Sequence, residues 1–189
     1  MIIPIVSLDP ALSNFGMAEL SLNTDSMELK VVDLKLIETE RQVTKQVRQN
    51  SDDLRRAKEL YKAYSVFAQR GVVVFAEIPT GAQSARAAYA FGVALGLLAS
   101  CPKPIIQLQP SEVKLATVGT KTASKSEVIE WCVEKYPDAP WIKHKRAGKM
   151  VIGNKNEHLA DAIAVAHTGV GTDSFQQLLA IWKANTIAA

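Results

Sequence analysis

Cysteine is nearly absent from this chain. The two that occur in 189 residues, Cys101 and Cys132, form no CxxC pair and stand far apart. That excludes a zinc framework or a disulfide-stapled domain and points to a reducing compartment, with both thiols used for packing. A long hydrophobic run is missing too. The apolar start carries Pro4, reaches Asp9 too soon for a membrane span, and has no charged segment before it, so it is not a signal peptide. A soluble, cytoplasmic protein is expected. Internal repeats and low-complexity tracts are lacking, and charge of one sign is only slightly in excess, with a net +3. Where that excess sits therefore matters more than its size. What is present, 48% hydrophobic and 22% charged residues, suffices for one sizeable core, so residues 1–189 are read as one domain.

Periodicity predicts three opening strands, Ile2 to Leu8, Gly16 to Leu22, and "MELKVVDLKLIE". A helix follows over Asp52 to Gln69, with Leu54, Leu60, Tyr61, Tyr64 and Phe67 near helical spacing and Gly71 as its stop. "VVVFAE" fits a fully buried strand. After Pro79 and Gly81, an alanine-rich helix runs to about Ser100 with small residues at Ala85, Ala88, Gly92 and Gly96. "KPIIQLQ" reads as a fifth strand and "PSEVKLATVG" as a short helix ending at Gly119. Ser124 and Glu127 form a capping box for a helix stopped by Pro137. Residues 137–155, rich in Pro, Gly, Lys and Trp, read as a basic loop or insertion. Asn156 is then placed at the N-cap of a helix through "NEHLADAIAVAHTGV", and "DSFQQLLAIWKAN" makes a last amphipathic helix.

Two strands in this order end on acids, Asp9 and Glu77. A right-handed crossover makes strands one and four parallel neighbours, which puts both acids at one edge of the sheet. A late helix crossing that edge adds Asp161 and, one turn earlier on the same face, His158. Carboxylates gathered in this way repel one another unless a cation neutralises them. Phosphodiester hydrolysis by two divalent ions roughly 3.5–4 Å apart is the chemistry that needs such a cluster. Oxygen-rich ligands with one imidazole suit Mg²⁺ or Mn²⁺.

The segments "SLDPALSNFG", "VVVFAEIPTGAQSARAAYAFGVALG", "PSEVKLATVGTKTASKSEV" and "EHLADAIAVAH" resemble, in order and spacing, the four sequence blocks of the RuvC family of Holliday junction resolvases. The resemblance runs from about Ile3 to about His167. It implies an RNase H-like α/β fold with a five-stranded mixed sheet flanked by helices. It also implies a homodimer and paired nicking of four-way DNA junctions with two ions of Mg²⁺ or Mn²⁺ per site. Asp9, Glu77 and Asp161 fall on the family's acids, and His158 on a position that carries Asp or His. Lys114 and Lys125 fall on lysines linked to DNA contact and catalysis. Thr80 stands where the family carries an aromatic wedge, and "IKHKRAGK" has no obvious counterpart in the short bacterial members. The chain thus resembles a divergent, phage-type member, for which the host cytoplasm is the expected site. Thr80, Lys121, Lys143, Lys145 and Arg146 are the expected DNA-contacting residues.

Each residue also has a plainer reading. Asp9 before Pro10 suits a turn, Glu77 a strand end in water, Asp161 a polar helix face, and His158 a helix start. Their joint order and spacing favour the catalytic reading. Glu157, four residues before Asp161, rivals His158 as fourth ligand. His144 and His167 read as surface or packing residues. "RQVTKQVRQ" and "DDLRRAKELYK" alternate in sign and predict a solvated helix face. Trp141 either stacks on an unpaired base or anchors its loop to the core. The stripe of Gly92 and Gly96 either packs within the chain or, as the resemblance implies, serves a dimer. Three competing functions remain: a broader flap or fork nuclease, a junction-binding protein with little catalysis, and an actin-like phosphotransferase. The last needs a nucleotide cofactor, and Asp9-Pro10-Ala11 lacks the glycines of a phosphate cradle.

Overall fold

Why Asp9 and Glu77 meet is settled by the order of the strands. In a computed structural model, described over residues 1–42, 44–146 and 148–187, β1 (Ile2–Asp9), β2 (Asn14–Asn23) and β3 (Leu29–Glu38) form an antiparallel meander. Helix α1 (Gln49–Ala68) leads to β4 (Val74–Glu77), which pairs parallel to β1, and α2 (Ala85–Ala99) leads to β5 (Ile105–Leu108), parallel to β4. The sheet order is β3-β2-β1-β4-β5, with β1 and β4 as the expected parallel neighbours.

The strands bury both faces. Ile3 and Ile5 of β1 and Phe75 of β4 pack beneath α3 (Pro110–Val118), α4 (Lys125–Lys135), α5 (Glu157–Gly169) and α6 (Asp173–Ile187). Val6, Leu8, Val74 and Ala76 point the other way, toward α1 and α2. Helix α5 is buried nearly all round, because its Ala and Val residues let it lie close on the sheet. Gly169 assists at its far end, where a Cβ would strike the ring of Phe75. Caps follow the sequence signals: Ser124 and Glu127 bond reciprocally, and Gly119 ends α3 at φ 83°. Among the described residues no helix is long and apolar enough to cross a membrane.

Three expectations need correction. Residues 137–155 are not simply a loop, because Lys143–Arg146 (β6) pairs antiparallel with Lys149–Ile152 (β7), and Gly148 at φ 81° takes the left-handed conformation that the turn needs. Asn156 does stand at the N-cap position of α5, but its side chain makes no capping bond; it accepts from Ile142 N and donates to the carbonyls of Ile142 and Gly153, tying the hairpin root to the helix start. The charges of α1 form a solvated face only in part: Lys58, Glu59 and Lys62 are exposed. Asp52, Asp53 and Arg56 are buried, whereas Leu54 is 56% and Tyr61 46% exposed.

The reason is a polar network. Arg56 donates to Thr39 Oγ1 at 2.9 Å, to the Leu12 carbonyl at 3.2 Å and to Ser13 Oγ at 2.7 Å. Asp53 accepts both guanidinium nitrogens of Arg86 at 2.6 Å. That bidentate bond holds the Asp53 carboxyl below the usual carboxylate range. Helix α1 thereby fastens the turn that follows Asp9 to the start of α2.

Candidate active site

Register brings the acids together. Leu8 pairs with Ala76 in the parallel ladder, so Asp9 and Glu77, each the next residue, end neighbouring strands. By alternation they share the sheet face on which α5 lies. Opposite Asp9 in β2 stands Gly16. A Cβ there would collide with the His158 carbonyl and come within 2.9 Å of His158 Cβ. Glycine at this position therefore lets the first turn of α5 settle against the sheet.

His158 Nδ1 lies 2.6 Å from Asp9 Oδ2, bonded across 149 residues of sequence. Asp161 follows one turn later, and one ligating atom each from Asp9, His158 and Asp161 all lie within 4.8 Å of one another. Glu77 is outside that triad but feels it. Its carboxyl is pushed up to about 8, first by burial and then by the charges of Asp9 and Asp161, with Lys114 and His158 opposing. Burial, reinforced by Asp9, pushes Asp161 up to about 7. The hydrogen bond to Asp9 raises His158 above its ordinary value. All three directions express one fact: negative charge is crowded in a poorly solvated place. Two carboxylates and an imidazole at ligating separation fit a divalent cation of the Mg²⁺ or Mn²⁺ kind, with Glu77 alongside.

The other expected residues divide. Lys114, on α3, is near enough to Glu77 for its charge to lower that carboxyl. Lys125, the first residue of α4, forms an ion pair with Glu157 and also feels Asp161 and Asp9. That pairing occupies Glu157, which is not in the triad. Thr80 is exposed in the segment between β4 and α2, and Lys121 is exposed before α4. Lys143, Lys145 and Arg146 are exposed on β6, in the separate two-stranded sheet. Trp141 is buried, and its indole donates to the Tyr136 carbonyl at 2.9 Å, so it anchors the chain and offers no face to a base. His167 packs against Trp131 and bonds Tyr136, and Cys132 is buried, as packing residues should be. Gly92 and Gly96 face open space, beside the half-exposed Tyr89 and Leu95, so packing within the chain does not use that stripe.

Two contributors escaped sequence reasoning. Gly16 was legible only as the start of a strand, although a glycine inside a strand pattern is itself a sign of close approach. Ser7, two residues before Asp9 and on the same face of β1, buries a hydroxyl that has no hydrogen-bond partner among the described residues, and it touches none of the cluster through a hydrogen bond. Nothing in its sequence context distinguishes it from an ordinary strand serine.

No protein-family model matches the chain, and no curated protein matches it by sequence. Solved structures do. Thermus thermophilus RuvC in complex with a Holliday junction substrate is similar at TM-score 0.62 and 20% identity, over 88% of this chain and 92% of that one. A second structure of Thermus thermophilus RuvC gives 0.57 and 21% over the same shares. The fowlpox virus resolvase in complex with Holliday junction DNA gives 0.51 and 16%, over 95% of this chain and 99% of its own. At these identities the likeness establishes the fold, which is RNase H-like.

Proposed function

We propose that this chain is a single-domain, metal-dependent, structure-selective DNA endonuclease that resolves four-way junctions by paired nicks. The observation that carries the proposal is the triad of Asp9, His158 and Asp161, assembled with Glu77 at the carboxyl ends of two parallel strands. Pure binding of DNA would not retain four such groups, because buried anions repel phosphate. The shared fold with two resolvases solved in complex with junction DNA supports the substrate class.

Asp9, His158 and Asp161 would hold one ion, and Asp9 and Glu77 a second. When bound, such a pair activates water and neutralises charge on the leaving oxygen. The chain's own residues do the rest. The bond from Asp9 to Nδ1 fixes the His158 ring and leaves Nε2 as the nitrogen that would either join the ion or, where it does not, exchange a proton with the attacking water. Lys114 and Lys125 oppose the negative charge that builds on the scissile phosphate. The exposed face of α2, with Tyr89, Leu95 and both glycines, suits a second copy of the chain, which would place two active sites on one junction.

Thr80 favours a second reading. It is exposed and small where the resemblance implies an aromatic wedge, so a broader flap or fork nuclease of the same fold remains in play. Cleavage of end-labelled junction, flap, linear duplex and RNA–DNA hybrid in Mg²⁺ and in Mn²⁺ separates the two. Junction-restricted symmetric nicks support the resolvase, and equal cutting of all branched forms supports the broader enzyme. No cutting of any DNA in either metal defeats both.

A further inference from the structure

The densest positive charge in the molecule lies outside the acid cluster. Lys143, Lys145, Arg146, Lys149 and Lys155 fall within thirteen residues that contain no acid, whereas the whole chain carries a net charge of only +3. Without this segment the protein would be net negative. None of the four hairpin cations forms an ion pair among the described residues, and Lys155 makes only a 3.8 Å exposed contact with Glu38. Stability does not explain so much unpaired charge.

The hairpin sorts these residues by face. Lys143 pairs with Ile152 and Lys145 with Met150 on one side, whereas His144 pairs with Val151 and Arg146 with Lys149 on the other. The second side lines a groove of about 550 Å³, with Ile142 and Val151 at its floor and His144, Arg146 and Lys155 around it. The exposed His144 ring lies against Gly153, filling the space that a Cβ there would take. Asn156 fixes the root of the hairpin through its three bonds to Ile142 and Gly153. The groove wall then continues along the chain through the 3-10 turn Asn154–Asn156 into Glu157 and His158. Lys155 reaches Glu38, whose β3 position pairs with Asn14 at the same sheet edge as Asp9. A cationic groove with an apolar floor thus leads away from the acid cluster.

We infer that this groove binds the sugar–phosphate backbone of one DNA strand in the arm flanking the scissile phosphate. The inference rests on the nuclease reading above. Phosphates would meet Arg146 and Lys155, and deoxyribose carbons would lie on Ile142 and Val151. Binding is specific to one hairpin face, which distinguishes it from a general attraction of DNA to a basic protein.

The test is equilibrium binding of a fluorescein-labelled four-way junction in EDTA, from 50 to 200 mM NaCl. Wild type is compared with two double variants that each remove two exposed charges: Arg146→Ala with Lys155→Ala in the groove, and Lys143→Ala with Lys145→Ala on the opposite face. Each lost phosphate contact lowers the slope of log K against log salt by about 0.9. The groove pair should lower it by about 2 and weaken binding at least about tenfold at 100 mM, whereas the opposite pair should change the slope by less than about 0.5. Equal losses in both pairs, or no change in the groove pair, overturn the groove while leaving the nuclease reading standing. Wild type that binds no DNA even at 50 mM salt overturns both.

Discussion

Gly16 is the residue on which the site most plainly depends. Its missing side chain is where the backbone of His158 lies, so Gly16→Ala sets a methyl group against backbone that cannot rotate away. We expect a loss of about 1–3 kcal/mol in urea unfolding. Cleavage should fall far more steeply than stability, because His158 and Asp161 move with the helix. Wild-type cleavage in a folded Gly16→Ala protein would show that α5 is not held at this point. The residues of the cluster, Asp9, Glu77, His158 and Asp161, were legible from sequence, because strand ends and helix spacing are local patterns. The contact made by Gly16 was not, since its partner lies some 140 residues away and no periodicity encodes it. Glu157 shows the same limit: spacing alone ranks it beside His158, whereas in the fold it pairs with Lys125 and lies outside the triad.

At the scale of elements, α1 carries a lesson about charge. Alternating signs predicted a wet face, yet Asp53 and Arg56 are buried because the turn after Asp9 and the start of α2 supply their partners. Arg56→Ala would leave Thr39, Ser13 and the Leu12 carbonyl without that donor and Asp53 without a nearby cation at 3.8 Å, and should cost about 3 kcal/mol by chemical denaturation. Arg56→Lys should not restore it, since an ammonium cannot span the same acceptors. A cost under about 0.5 kcal/mol for Arg56→Ala would mean that the network is idle. Helix α2 offers a different test. Leu95 is 42% exposed beside Gly92 and Gly96, so Leu95→Asp should fold normally and sediment as a monomer if that face joins two copies. Unchanged sedimentation of a wild-type dimer would place the interface elsewhere. The β6–β7 hairpin was hidden because β6 is cationic and both four-residue strands lie in a stretch of loop-like composition.

Across the whole molecule, the parallel pairing of β1 with β4 followed from one rule about crossovers, and the sequence periodicities placed every strand of the main sheet to within a few residues. The electrostatic state of the folded protein follows from the site that this sheet builds. Glu77, pushed up to about 8, and Asp161, to about 7, keep protons that the unfolded chain gives up near pH 4. His158, raised by Asp9, likewise holds its proton longer when folded. The native state therefore binds more protons than the unfolded state between about pH 6.5 and 8, and stability falls as pH rises through that window. His167, shifted the other way by burial, titrates below it. Melting in EDTA should show a lower Tm at pH 8 than at pH 6.5. Adding Mn²⁺ should raise Tm most at pH 8, where a cation replaces the departing protons. A metal-free Tm that climbs from pH 6.5 to 8 would contradict the crowding of charge at this site.

The central claim is that Asp9 serves cleavage and not the fold. The most direct measurement sets wild type beside Asp9→Asn on one end-labelled four-way junction, scoring binding in EDTA and cutting in Mg²⁺ or Mn²⁺. Symmetric nicks by wild type, with the variant binding equally or more tightly and cutting at least about a thousandfold more slowly, are the predicted result. Cutting that survives the substitution would contradict the account.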